Sequence, residues 1–164
     1  MTKLKNFLKK HEACEDGYLF AKDLTLEEFL NTCPRGDWIL WLFARTNPDS
    51  LKELTLAKGH CANTVRYLMK DEESVKAVDV AIDFGEGRAT RCELDDASSA
   101  AAYAASYASS SVAYAAAYAV YAASSASASV DAVFYAKKSN QQQTADICRK
   151  YLPLSIWNQE VLND

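Results

Sequence analysis

The sequence predicts an all-α fold, an irregular helical bundle organised around one long Ala/Ser/Tyr-rich helix. Three observations predict it. Apolar residues recur at helical spacing from Leu4 to Leu152, and no stretch alternates with the period of two that a half-buried strand needs. Helix-starting side chains stand in front of several of these runs, as in Thr25–Glu28 and Thr90–Glu93. Positions 97–136 hold 18 Ala, 10 Ser and 6 Tyr, leaving six other residues, and alanine is the strongest helix former.

Taken in order, Leu4, Phe7 and Leu8 form a short amphipathic start, and Asp16-Gly17 marks a turn. The capping box Thr25/Glu28 opens a helix with Leu26, Phe29 and Leu30 on one face, closed by Pro34-Arg35-Gly36-Asp37. Asp37 is placed to cap the run Trp38 to Ala44, which is apolar on all sides and is expected to be the most buried short helix. A strand is the rival for these seven residues; the helical neighbours favour a helix. Residues 50–70 read as a helix with Gly59 as a weak point inside it. Asp71 caps a helix from Glu72 to Phe84, with Gly85 as its stop. Thr90/Glu93 launches the long segment, expected over about 90–137, and further helices are expected over about 140–162, interrupted by Pro153. A single domain over 1–164 is expected, with short helices over 3–85 ahead of the long one.

Bulk composition narrows the function classes. The chain is 49% hydrophobic and 24% charged, a globular balance. A net charge of −4 lacks the basic face that neutralises phosphates, so no direct nucleic-acid partner is expected. The Ala-rich segment is long enough to cross a bilayer, but its ten serines argue against lipid, so no membrane partner is expected. The start, Met1-Thr2-Lys3-Leu4-Lys5, does not read as a signal peptide. Five cysteines at 14, 33, 61, 92 and 148 form no CxxC and are odd in number, which reads as reduced thiols in a cytoplasmic protein.

The Ala/Ser/Tyr segment has an ordered pattern. Tyr103 and Tyr114 are eleven apart, as are Tyr107 and Tyr118, and eleven residues make three turns of an almost undistorted α-helix. At about 100° per residue, Tyr103, Tyr107, Tyr114, Tyr118 and Tyr121 fall within roughly 60° of one another. Leu94, Val112 and Val130 lie on the opposite side. Asp131 is the only charge, so both faces of this rod call for contacts. Tyrosine joins a large ring to a polar tip with few rotatable bonds and suits interfaces; the same stripe would equally pack beneath the N-terminal helices as core. Those five tyrosines are the candidate partner-binding residues.

Chemistry is sparse. His11/Cys14 and His60/Cys61 would have to meet to hold zinc, and their spacing is no zinc-finger pattern. Surface histidines and buried thiols are the plainer reading, so no metal or cofactor is expected. Asp79, Asp83 and Glu86 share a helix side near Lys70, Lys76 and Arg88, as a solvated, ion-paired face does. No GxSxG, P-loop or GxGxxG occurs, and no catalytic residues are expected. Trp38 and Trp41, among Ile39, Leu40, Leu42 and Phe43, read as core with Arg35 and Arg45 at the helix ends, although tryptophans also anchor partners.

The order Cys33-Pro34-Arg35-Gly36-Asp37-Trp38-Ile39-Leu40-Trp41-Leu42, Ala57-Lys58-Gly59-His60-Cys61-Ala62, Ala77-Val78 with Gly85-Glu86-Gly87-Arg88-Ala89-Thr90, an Ala-Tyr tract, and Ala145-Asp146-Ile147-Cys148-Arg149-Lys150 resembles the Imm-5-like immunity proteins of bacterial and phage genomes. The resemblance spans nearly the whole chain and implies a non-enzymatic inhibitor that neutralises a protein target, a toxin or effector, by binding it. It supplies no functional residues to transfer, and this tract carries serine where that family more often has alanine or acidic residues. Two alternatives stay open: a phage-encoded, anti-CRISPR-like inhibitor of a host defence nuclease, and a helical scaffold or oligomerisation module in which ridges from two copies form a homodimer.

Overall fold

The computed structural model describes residues 3–69, 71–100 and 127–159. Among them every regular element is helical and none is a strand. The order is α1 (Lys3–Lys10), α2 (Glu15–Ala21), α3 (Leu26–Thr32), α4 (Gly36–Thr46), α5 (Leu51–Asn63), a 3-10 turn (Arg66–Leu68) and α6 (Glu72–Gly85). A helix over 91–100, α7, precedes α8 (Ser127–Tyr151) and a last 3-10 turn (Leu154–Ile156).

Local chemistry starts three of these helices as the sequence predicts, whereas α2 runs through Asp16-Gly17, where a turn is expected, with no side-chain cap at Cys14. Thr25 accepts the Glu28 backbone N–H at 3.2 Å while the Glu28 carboxylate accepts the Thr25 N–H at 2.8 Å, a complete capping box. Thr90 and Glu93 repeat it, with Thr90 N–H donating to Glu93 Oε2 at 2.7 Å. Asp71 caps α6 by accepting from the Ser74 N–H at 2.7 Å. The α4 cap differs from expectation. The helix begins at Gly36, one residue before Asp37, and Asp37 lies in its first turn, ion-paired to Arg35. A carboxylate there still complements the positive end of the helix dipole.

The core gathers around α4. Ile39, Leu42, Phe43 and Thr46 follow helical spacing and are at most 1% exposed. Full burial of a residue such as Phe43 or Leu42 contributes roughly 1.5–3 kcal/mol each. Facing them are Leu4, Phe7 and Leu8 of α1, Phe29 and Leu30 of α3, Ala57 of α5, and Ala145 and Cys148 of α8. Trp38, Leu40, Trp41 and Ala44 take the partly buried flanks, so this helix is buried on one face rather than on all sides. Thr46 satisfies its buried hydroxyl by donating to the Leu42 carbonyl at 3.1 Å.

Small residues set the helix spacing. A Cβ on Gly36 would stand 2.7 Å from the Thr144 carbonyl carbon, so the start of α4 touches α8 backbone to backbone. Gly59 and Gly85 bring α5 and α6 close: a Cβ on Gly59 would stand 2.9 Å from the Ile82 Cγ1 and 3.2 Å from its backbone nitrogen, and one on Gly85 would meet the Leu56 Cα at 2.8 Å. Gly59, a weak point by propensity alone, is therefore a packing requirement. Gly85 is the last residue of α6, packed on α5, rather than its stop; Gly87, at φ +79°, ends the helix, with the Arg88 N–H donating to the Asp83 carbonyl at 2.7 Å.

Several expected boundaries move. The expected helix over 50–70 ends at Asn63, where Thr64 turns its hydroxyl back to the Cys61 carbonyl at 2.7 Å, and a 3-10 turn follows. The break expected near 137–140 does not occur; α8 runs from Ser127 to Tyr151, and Lys137-Lys138-Ser139-Asn140 holds no glycine or proline to stop it. A helix is expected over 156–162, yet among the described residues only the 3-10 turn Leu154–Ile156 forms there. Asn47 competes for that backbone, donating to the Ile156 carbonyl at 2.8 Å and accepting the Asn158 N–H at 3.3 Å. Trp157 then packs edge-on against Phe43, with ring centroids 5.0 Å apart. Of the expected long helix over about 90–137, residues 91–100 and the α8 portion from Ser127 are helical, and 101–126 lie outside the described residues. Among the described residues the core centres on α4 rather than on the tract.

Candidate functional site

Tyr103, Tyr107, Tyr114, Tyr118 and Tyr121, the sequence's candidate partner-binding residues, lie outside the described residues. Both flanks of that stretch are helical, α7 entering and α8 leaving. The capping box at Thr90/Glu93 and the Arg91–Asp95 ion pair at 2.9 Å fix the start of α7.

The other candidates resolve into packing. His11 sits on the Phe7 ring at 4.2 Å, and His60 stacks on Tyr151 at 4.2 Å with ring planes 6° apart. Among the described residues no three His, Cys, Asp or Glu side chains converge to hold a metal ion. Burial holds the His60 pKa below its ordinary value, so its ring is neutral at pH 7. Asp79 pairs with Arg66 through two bonds, one of 2.7 Å, and Arg88 takes Asp83 and Glu86. These carboxylates form an ion-paired surface, with Arg88 a partner as expected and Arg66 a further one.

Trp38 and Trp41 each carry a guanidinium on the ring, Arg35 at 4.4 Å and Arg45 at 4.0 Å. The arginines thus cover the outer faces of rings whose inner edges join the core. Trp38 also borders a cavity of about 430 Å³ with Leu8, Cys14 and Trp41. Its indole N–H and His60 Nε2 are buried without a hydrogen-bond partner among the described residues.

One constellation is new relative to the sequence. Cys61 on α5 and Cys148 on α8, 87 positions apart, bring their sulfurs to 3.8 Å. Cys148 is fully buried and Cys61 partly exposed. The Cys148 sulfur also lies 3.6 Å from the Gly36 carbonyl, and the Cys61 sulfur 3.7 Å from the Thr144 carbonyl. The two thiols share unequal conditions: the Cys148 thiol stabilises a thiolate at Cys61 and lowers its pKa, while the hydrogen bond to Cys61 and then burial push Cys148 up. Cys33, which donates to the Arg35 carbonyl at 3.3 Å, is pushed up to about 11 by burial. Beside them Arg149 donates to the carbonyls of Leu30 and Cys33 and pairs with Asp146, tying α8 to the end of α3. No signal in the sequence pairs residues 61 and 148; only the α4–α5–α8 packing does.

All five cysteines are free thiols, and no described helix is long and apolar enough to cross a membrane. No family model, no curated protein and no solved structure matches this chain.

Proposed function

We propose that this chain is a non-enzymatic, protein-binding inhibitor of the immunity type, neutralising a toxin or effector protein by occupying it. Its docking edge is the tyrosine ridge Tyr103, Tyr107, Tyr114, Tyr118 and Tyr121. The observation that carries this reading is the eleven-residue recurrence of tyrosine in a forty-residue tract with one charge. Helical entry at 91–100 and helical exit from Ser127 support it, because they are the two ends that a helical ridge requires. Resemblance to the Imm-5-like immunity proteins points the same way.

The test is co-expression with the toxin-like proteins encoded beside the gene. Wild type restores growth against the cognate toxin. The double substitution Tyr107→Ala and Tyr118→Ala abolishes the rescue while leaving Tm within a few degrees, since surface changes are usually within about ±0.5 kcal/mol each. Collapse of the fold in the double variant would make the tyrosines core and remove the docking edge. Rescue against a defence nuclease alone would move the target to that class.

A further inference from the structure

We propose that Cys61 and Cys148 form a peroxide-oxidisable dithiol, closing to an intramolecular disulfide that staples α5 to α8. Three features of the site carry this. The sulfurs are already in contact at 3.8 Å, about 1.8 Å more than the ~2.0 Å of a disulfide bond. Access is asymmetric: Cys61 is partly exposed and Cys148 is sealed, so an oxidant reaches one sulfur and the other waits behind it. The acidity follows the same order, with the thiolate favoured at Cys61.

The chemistry balances with a hydroperoxide as oxidant. The Cys61 thiolate attacks one peroxide oxygen; an S–O bond forms, the O–O bond breaks, and the released alkoxide or hydroxide takes up the proton that Cys61 lost. Cys61 is now a sulfenic acid, oxidised by two electrons, and the peroxide is reduced to an alcohol or water. Cys148 then attacks the Cys61 sulfur; an S–S bond forms, the S–O bond breaks, and hydroxide leaves with the Cys148 proton as water. Two thiols and one hydroperoxide give one disulfide, one alcohol and one water. Cys33 stays out of the reaction because burial keeps it a protonated thiol.

The experiment uses the full reduced chain and hydrogen peroxide. After exposure, the protein is denatured, alkylated and weighed. The expected result is a loss of ~2 Da with two of the five thiols no longer alkylated, reversed by dithiothreitol, and a peptide map linking 61 to 148. The linked form should melt about 5–15 °C higher, because the cross-link closes a long loop. In Cys148→Ser the reaction stops at a sulfenic acid on Cys61, trapped by a 1,3-dione probe; Cys33→Ser reacts as wild type. Five alkylatable thiols after peroxide, a link between any other pair, or a Cys148→Ser chain that leaves Cys61 unmodified would overturn the proposal. The wild-type measurement decides alone if a variant fails to fold, and none of these outcomes depends on the partner-binding reading.

Discussion

Substituting alanine at two glycines should move stability in opposite directions, and the contrast tests the helix packing directly. At Gly36 the added Cβ would stand 2.7 Å from the carbonyl carbon, Cβ and Oγ1 of Thr144. The hydroxyl can rotate away, but the carbonyl carbon belongs to the α8 backbone and moves only with its helix. Overpacking of this kind costs about 1–3 kcal/mol. Gly36 is the first residue of α4, where alanine's interior propensity offers little in return. At roughly 2–4 °C per kcal/mol for a chain of this size, Gly36→Ala should lower Tm by about 2–12 °C. Gly17 is the control. It lies inside α2, and its added Cβ would meet only side chains, the Cys14 sulfur at 3.1 Å and the Trp38 ring at 3.6 Å. Cys14 is exposed and free to yield. Replacing a glycine within a helix gains about 0.5–1 kcal/mol, so Gly17→Ala should raise Tm by about 1–4 °C. Thermal unfolding followed by circular dichroism measures both. A Gly36→Ala protein as stable as wild type, or a Gly17→Ala protein that loses as much, would refute the backbone-contact account.

Two further outcomes are expected. Asn47→Ala removes the bonds to the Ile156 carbonyl and the Asn158 N–H and takes from the Ile156 carbonyl the amide that donates to it; a loss of about 1–3 kcal/mol and a red-shifted tryptophan emission from a loosened Trp157 should follow, and unchanged emission with unchanged Tm would contradict it. Acid should destabilise the fold. Glu28, Asp71, Asp79 and Glu93 all have pKa values lowered by hydrogen bonds to the charged form, so their contribution is complete above the unfolded values of about 4–4.5 and is lost as pH falls through the folded ones. His60, whose pKa is lowered by burial, adds a loss of the same sign that starts near its unfolded value of about 6.5. A Tm that is flat from neutral pH to below ~4 would contradict this.

Much of the helical layout was legible because its signals are local. The boxes at Thr25/Glu28 and Thr90/Glu93 and the Asp71 cap each lie within four residues of the helix that they start. The apolar run Trp38 to Ala44 reads as a buried short helix, and the structure buries one face of it, Ile39, Leu42 and Phe43, together with Thr46 beyond the run. Long-range competition decided the rest. Asn47 claims the backbone at 156–158, which by its own pattern would be helix. The segment 137–140 is polar and reads as a linker, yet α8 continues through it, and Asn140 bonds to Thr64 at 2.8 Å. Gly59 is a flaw by helix propensity and a requirement beside Ile82 of α6, a neighbour 23 positions on that no local pattern shows. The thiol pair was invisible for the same reason: contact between 61 and 148 exists only once α5 and α8 are packed.

The proposed inhibitor function requires tyrosine rings that another protein can reach. Tyrosine nitration of the free, folded chain, mapped residue by residue, tests this most directly, and Tyr67, 82% exposed, is the internal standard. Nitration of Tyr103, Tyr107, Tyr114, Tyr118 and Tyr121 at rates comparable with Tyr67 is the predicted result. Protection of all five in a folded monomer would contradict it and return those rings to the interior.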